Sequence, residues 1–564
     1  MSSATPTSGT SPARRLSLAG VLRLRRPSEI WFKPALSSVA AVAPPNLLLL
    51  ALGRLDLAMY TMAGSLCALY AHNRPYAARA RTLAWVVLGM IGGLAVALVT
   101  ASLTRDAVAL VTVGALLAAV QKALCDATRV GPPGNVVLTF ISSAALFVPQ
   151  TLGQIPGHLA LAAAAGVWAW LVGMAPAPVR PHGPERRATA QALNAAAAYA
   201  AAHGTGADND HAPARAAGYA AVQAAWQTLL ALPSTGARAA TRHALERLVV
   251  RAEVALAAPA DTDPERLRAW AHALRGAGRI PRTGDAPADT DELLGVEAEL
   301  AARPAPLWRR LGPLAPLAAR TALGCALAGY ASLALGIGRP YWALVTAAAL
   351  YQANLTLTWS RAVQRVVGNL AGVLLFAAIA PLAHLGQALL VLCCLALNFG
   401  AEALITRNYW LGSVCVTPMA LLVTEFAGYQ ATGDLMAERA VDTVVGALVG
   451  FLAAVVVTNR RAGSRVEGAV TAADRARERA ARLLAEPAPA PAALEAARRG
   501  LAAALTDLRA TADGAAGEWW GRALPQERVV LAERSGHRTL AEAVRRQAVR
   551  PDRDAGTRTE DVRP

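Results

Sequence analysis

Apolar residues gather into twelve runs along this chain, each close to the roughly 20 helical residues that cross a hydrocarbon core of about 30 Å. Six fall early, at about 35–52, 56–72, 83–102, 106–124, 134–150 and 157–175. Six fall late, at about 314–336, 340–358, 366–381, 383–401, 409–425 and 440–458. Pro44-Pro45 is expected to kink or break the first run, because proline removes a helix donor. The polar stretch between the groups reads as helices over Glu185–Ala202, Ala212–Leu232, Ala237–Ala257, Pro264–Leu274 and Thr290–Ala301, separated by Gly, Pro and Asp. Asp263-Pro264-Glu265 is a helix start, with Asp as cap and Pro in the first turn. After 459 comes a second Arg/Glu/Ala-rich helical region, punctuated by Pro487, Pro489 and Pro491 and ending in a charged tail. Strand patterning is missing. The expected fold is an all-α polytopic membrane protein. Its parts are a basic tail (1–33), a six-span half (34–176), a helical region (177–312), a second six-span half (313–458), a helical region (459–550) and a tail (551–564).

Composition supports this layout. Of the 564 residues, 55% are hydrophobic and 16% charged, against about 25% charged in a typical soluble domain. The mean hydropathy is +0.35. Net charge is +17 and almost wholly arginine, since Lys33 and Lys122 are the lysines. Neither lysine sits in a Gly-x-x-x-x-Gly-Lys motif, so this chain carries no Walker-A nucleotide site. The six cysteines lie in or beside apolar runs without C-x-x-C spacing, and the nine histidines are scattered. No metal or cofactor is expected. No G-x-S-x-G, H-E-x-x-H or paired-carboxylate motif suggests an enzyme. Arg14-Arg15 hints at a twin-arginine signal, but Arg23, Arg25 and Arg26 interrupt the apolar run such a signal needs.

Charge in the short loops sets an orientation. With the N-terminus inside, the inner loops carry Arg74, Arg79, Arg81, Lys122, Arg129, Arg361, Arg365 and Arg407, whereas the outer loops carry Arg54, Arg105, Arg339 and Arg439. The bias predicts an even span number and cytoplasmic termini. Anionic lipid of the inner leaflet is then a simpler partner for the arginines than nucleic acid. An even number of spans per half makes the halves parallel repeats, with an interface at mid-membrane. The pairs Gly368/Gly372 and Gly446/Gly450 have G-x-x-x-G spacing, suited to close helix packing and compatible with a homo-oligomer.

Polar groups inside the apolar runs need a reason, because a charge at a helix centre costs about 2.5–3.5 kcal/mol on insertion scales. Arg439 and Asp442 share a face at i, i+3 and are expected to pair. Glu402 lies near Arg407. Gln352, Asn354, Thr356 and Thr358 make the end of the eighth run polar, and Arg361 and Arg365 follow on one helix face near Asn369. Two readings stand: positive-inside anchors, or an anion site in which guanidiniums fork a carboxylate. Tyr341-Trp342, Trp359 and Tyr409-Trp410 fall at run ends, as an interfacial aromatic belt would, or as stacking surfaces for an aromatic substrate.

The stretch from Gly338 through Arg339, Pro340, Tyr341 and Trp342 to Thr346 resembles the signature of the fusaric acid resistance family, as does the run from Arg361 and Arg365 through Gly368 and Asn369 to Gly372. Arg407-Asn408-Tyr409-Trp410 and the run Glu438-Arg439 to Asp442 and Gly446 are similar to its later motifs. The Asn354–Trp359 segment departs from the Pro/Ser/Gly-rich turn expected there. The resemblance implies an inner-membrane transporter exporting aromatic or other organic carboxylates, with proton coupling. The candidate substrate residues are Arg361, Arg365, Tyr341, Trp342, Gln352, Asn369, Arg407 and Asn408; Asp442 and Glu402 are the candidate proton-coupling groups. A passive organic-anion channel and a non-transporting scaffold are the alternatives.

Overall fold

The computed structural model describes residues 18, 20–24, 31–204, 212–232, 239–257, 259–276, 278–281, 306–352, 354–457, 462–515 and 526–548. All regular structure among them is helical. Each of the twelve apolar runs forms helix. The first half contains α1 (Phe32–Ala51), α2 (Ala58–Ser65, flanked by 3-10 turns), α3 (Tyr76–Leu103), α4 (Ala107–Thr128), α5 (Val136–Leu146) and α6 (Ile155–Met174). Between the halves lie α7 (Gly183–Gly204), α8 (Ala212–Leu230), α9 (Ala239–Ala257) and α10 (Pro264–Arg275). The second half contains α11 (Leu307–Ala334), α12 (Tyr341–Leu350), α13 (Leu355–Ala383), α14 (Gln387–Ile405), α15 (Tyr409–Thr424) and α16 (Thr432–Val456). Last come α17 (Ala462–Ala485), α18 (Pro491–Ala515) and α19 (Gln526–Ala548). The helix expected over Thr290–Ala301 lies outside the described residues.

Nine of these helices, among the described residues, are long and apolar enough to cross a membrane, and three apolar helices at 55–69, 136–146 and 341–350 are shorter. This is a polytopic membrane protein. Its outward-facing side chains match: Trp85, Leu88, Leu374, Leu448 and Leu452 are large, apolar and exposed, as lipid requires.

Two expectations about helix ends need correction. Of the kink and the break expected at Pro44-Pro45, the break does not occur, since α1 runs through both prolines. Pro44 leaves the Ala40 carbonyl without its helix donor, and the Trp168 indole N–H of α6 donates to that carbonyl at 3.0 Å. Asn46 Nδ2 donates to the Val42 carbonyl at 3.0 Å. The second correction is the eighth run, which does not continue to 358. The helix stops at Leu350, and Asn354 caps a new one, its Oδ1 accepting from the Leu357 N–H at 3.0 Å. Thr358 turns back to the break, accepting from the Gln352 N–H and donating to the Asn354 carbonyl. Thr356 to Arg365 are therefore the first turns of a 29-residue helix, not the end of the preceding span.

The halves meet chiefly through α1 with α14 and α4 with α11, and also through α12, which packs on α4 and α5. Within the first half α2 packs on α6, and α3 on α5 and α6; within the second, α12 packs on α16, and α13 on α15 and α16. Two hydrophobic clusters cross the junction: one joins Leu49, Leu55 and Met62 to Tyr341, Trp342 and Phe376, the other joins Ala115 and Ala118 to Cys325, Ala328 and Leu344. The two Gly pairs serve contacts within the chain. A Cβ on Gly446 would sit 2.5 Å from the Ala343 carbonyl oxygen, and one on Gly368 2.5 Å from that of Trp410. The polar helices form two lobes with separate cores, around Leu193, Trp226, Leu245 and Leu267 in α7–α10 and around Val470, Leu501, Leu505 and Leu540 in α17–α19.

Candidate functional site

A cavity of about 3180 Å³ runs between the halves. One end is lined by Asp56, Arg339, Gln430 and Glu438, where Arg339 pairs with Glu438 and donates to Gln430. The other end opens beside both lobes, with Gln191, Gln227, Arg465 and Asp507 on its wall. Thirteen Arg or Lys residues line it against five Asp or Glu, among the described residues. Such an excess makes the interior a field that concentrates anions.

Four second-half helices place the central chemistry. α13 carries Arg361 and Arg365 on one face, one turn apart, and α15 starts at Tyr409 opposite them. Arg365 Nη1 donates to Tyr409 Oη at 2.8 Å. The Arg361 guanidinium lies over the same ring, 3.9 Å from its centroid. On α16 the Arg439 guanidinium lies 4.1 Å from the centroid of Trp342, which belongs to α12. Arg365 is 4% exposed and Arg439 1%. Arg365 Nε and Arg439 Nε and Nη1 are buried donors without a hydrogen-bond partner. Leaving a buried donor unmade costs about 1–3 kcal/mol, more when it is charged. These two arginines thus hold unspent hydrogen-bonding capacity beside aromatic surface.

The expected Arg439–Asp442 pair does not form. The Arg439 guanidinium sits over the Trp342 indole, and Asp442 Oδ1 accepts from Ser332 Oγ of α11 at 2.6 Å, with Oδ2 unpartnered. A serine one helix away reaches this carboxylate directly, whereas the long Arg side chain reaches the indole. Asp442 is fully buried and sits behind Arg439 rather than on the cavity wall. Glu402 does line the cavity, and no ion pair joins it to Arg407 among the described residues.

Burial also corrects the aromatic-belt reading for Tyr341 and Trp342, which are 6% and 1% exposed. Trp342 sits 5.6 Å from Phe140 and Tyr341 5.7 Å from Phe147, centroid to centroid, so both halves build this aromatic wall. Trp359 packs on Phe451 instead. Gln352 lines the cavity from the break between α12 and α13. Arg407 lines it too, with a buried, unpartnered Nε. Asn369 lies off the wall: its Nδ2 donates to Thr443 Oγ1 at 3.1 Å and its Oδ1 accepts from Thr417 at 2.9 Å, tying α13, α15 and α16 together. Asn408 spends its amide donor on backbone carbonyls of residues 21 and 23. The structure therefore gathers Arg361, Arg365, Tyr341, Trp342, Gln352, Arg407 and Glu402 around one space and leaves Asn369 and Asp442 behind its wall.

Sequence reasoning missed two site members. Spacing assigns Arg439, at the edge of the last apolar run, to an ion pair with Asp442, and its contact with Trp342 of another helix leaves no local signal. Tyr409 carries only the choice between interfacial belt and substrate stacking in the sequence, and the structure makes it the surface that both α13 arginines use.

Residues 326–453 match the family described as fusaric acid resistance protein-like. A 137-residue stretch is 34% identical to the "Uncharacterized membrane protein YvaC" of Bacillus subtilis (strain 168), covering 24% of this chain and 22% of that protein. The match thus spans about a fifth of the relative's length. No solved structure matches the chain. The matched residues contain α12 to α15 and most of α16, including every arginine–aromatic contact described above.

Proposed function

We propose that the protein is a secondary transporter that exports amphipathic organic anions, aromatic carboxylates foremost, through the cavity between its halves. The observation that carries this reading is the pair of buried arginines with donors left over, Arg365 held by the Tyr409 hydroxyl and Arg439 against the Trp342 ring. A guanidinium presents parallel N–H groups that a carboxylate accepts two at a time. The wall of Phe140, Trp342 and Tyr341 beside Arg439 suits the flat apolar body of the same molecule. A single small-ligand pocket usually measures about 300–1,000 Å³. The much larger volume here suits a pathway more than one tight site.

Glu402 on the wall and Asp442 behind Arg439 are the proposed proton-coupling groups. Loss of the Asp442 charge would change the field on Arg439 and so its hold on an anion. The repeated packing scheme, α3 with α5 and α6 and α13 with α15 and α16, supports a parallel duplication. Cytoplasmic termini follow from the loop-charge bias, with inner-leaflet anionic lipid as partner of the arginines nearest the lobes.

A passive anion channel is the second reading, favoured by one cavity lining both ends of the membrane region. Flux of radiolabelled benzoate in proteoliposomes tests both. Arg365→Ala is expected to reduce flux at least tenfold and Arg365→Lys to restore part of it. Undiminished flux in well-folded Arg365→Ala removes that residue from the mechanism. Collapsing the proton gradient abolishes uphill movement by an antiporter and leaves downhill movement through a channel intact.

A further inference from the structure

Three polar side chains at the lobe-side mouth of the cavity already have an occupant. Gln364 precedes Arg365 on α13, and Asn408 and Trp410 stand at the start of α15. Gln364 Nε2 donates to the Val21 carbonyl at 2.9 Å. Asn408 Nδ2 donates to the same carbonyl and to that of Arg23, both at 3.0 Å. Trp410 Nε1 donates to the Leu22 carbonyl at 3.2 Å. Three successive carbonyls are therefore gripped by two helices of the transport half. The segment is folded for this: Gly20 takes a left-handed φ of +81°, and its carbonyl accepts from the Arg23 N–H at 3.1 Å. Val21 is only 9% exposed, and Gly20, Val21 and Arg23 form part of the cavity wall beside Arg361 and Arg407.

The chemistry of the grip makes it reversible. Every donor is neutral, and neutral hydrogen bonds are the weaker class. Arg23 is set on the same wall as Arg361 and Arg407, a like-charge arrangement that opposes docking. The grip reads main chain alone, so what it holds is a shape rather than a charge partner.

We propose that Gly20–Leu24 is a strap that closes the lobe-side mouth of the anion pathway when docked and opens it when released. The inference rests on the transport reading above and adds its regulation.

Cysteine labelling and flux on the full chain test it together. Val21→Cys in the purified protein is exposed to a charged maleimide, with Val179→Cys, at an 80% exposed position, as the open reference. Labelling at 21 is expected to be far slower than at 179. Trp410→Phe keeps a ring but loses the N–H, and Gln364→Ala removes another donor. Each is expected to raise labelling at 21 about threefold to tenfold, the factor one net hydrogen bond supplies, and to raise benzoate flux in proteoliposomes. Labelling at 21 as fast as at 179, or unmoved by both variants, overturns the docked strap. Faster labelling with unchanged flux overturns the gate while the transport reading stands. A native protein that moves no benzoate, alone or in either variant, overturns the transport reading and the gate with it.

Discussion

Arg439 offers a test in which stability and function should move in opposite directions. Its guanidinium is 1% exposed, stacks on Trp342, and leaves Nε and Nη1 without partners. Replacement by Met keeps an unbranched apolar side chain of similar length. The variant loses a desolvated cation–π contact of about 2 kcal/mol. It also removes two unmet donors, each carrying about 1–3 kcal/mol of penalty. The balance ranges from roughly neutral to about 4 kcal/mol of stabilisation, the range seen when buried charges give way to well-packed apolar groups. Thermal unfolding of Arg439→Met in detergent, followed by tryptophan fluorescence, should therefore show a midpoint equal to or above that of the native protein. Benzoate flux should fall by at least tenfold. A lowered midpoint with retained flux would refute the reasoning, because Arg439 would then be a structural strut.

Other perturbations follow from particular contacts. Gly446→Ala places a Cβ 2.5 Å from the Ala343 carbonyl oxygen, where no flexible side chain can yield. A loss of about 1–3 kcal/mol is expected from such overpacking, read as a lower midpoint and reduced yield. Asn354→Ala removes the cap of α13 and should cost about 1 kcal/mol, with helix fraying at 355–358 visible as faster amide exchange. His72 lies in the loop between α2 and α3, its Nδ1 facing Arg79 Nη2 at 3.0 Å. Burial, aided by the Arg79 charge, pushes its pKa down from 6.5 to about 4. A depressed histidine contributes fully above pH 6.5, and its contribution is lost as pH falls toward 4. At about 1.4 kcal/mol per pH unit the loss approaches 3 kcal/mol. Midpoints measured from pH 7.5 to 4.5 should fall on acidification, and His72→Asn should flatten that dependence.

Much of the architecture was legible because a bilayer makes span length a local property. Twelve apolar runs became helices, nine of them, among the described residues, long and apolar enough to span, and Asp263-Pro264 started α10 as the spacing required, with Asp263 Oδ1 accepting from the Glu265 N–H at 2.9 Å. Part of the site was legible for a related reason. Arg361, Arg365, Arg407 and Glu402 are costly in lipid, and an expensive residue announces itself in a hydropathy pattern.

What escaped the sequence depended on neighbours distant along the chain. A proline pair could persist in α1 because Trp168, 128 residues away, takes the carbonyl that Pro44 abandons. Spacing of i, i+3 allowed Arg439 to meet Asp442, but Ser332 and Trp342 arrive from other helices and each takes one of the two. Tyr341 and Trp342 have the composition of an interfacial belt, and only packing against Phe140 and Phe147 from the other half turns them inward. The strap over the mouth carries no local signal, since its bonds use backbone carbonyls that every residue has. Local sequence decides which segments leave water and where helices begin. The choice of partner for each buried polar group is a competition among all groups within reach, and reach is set by the fold.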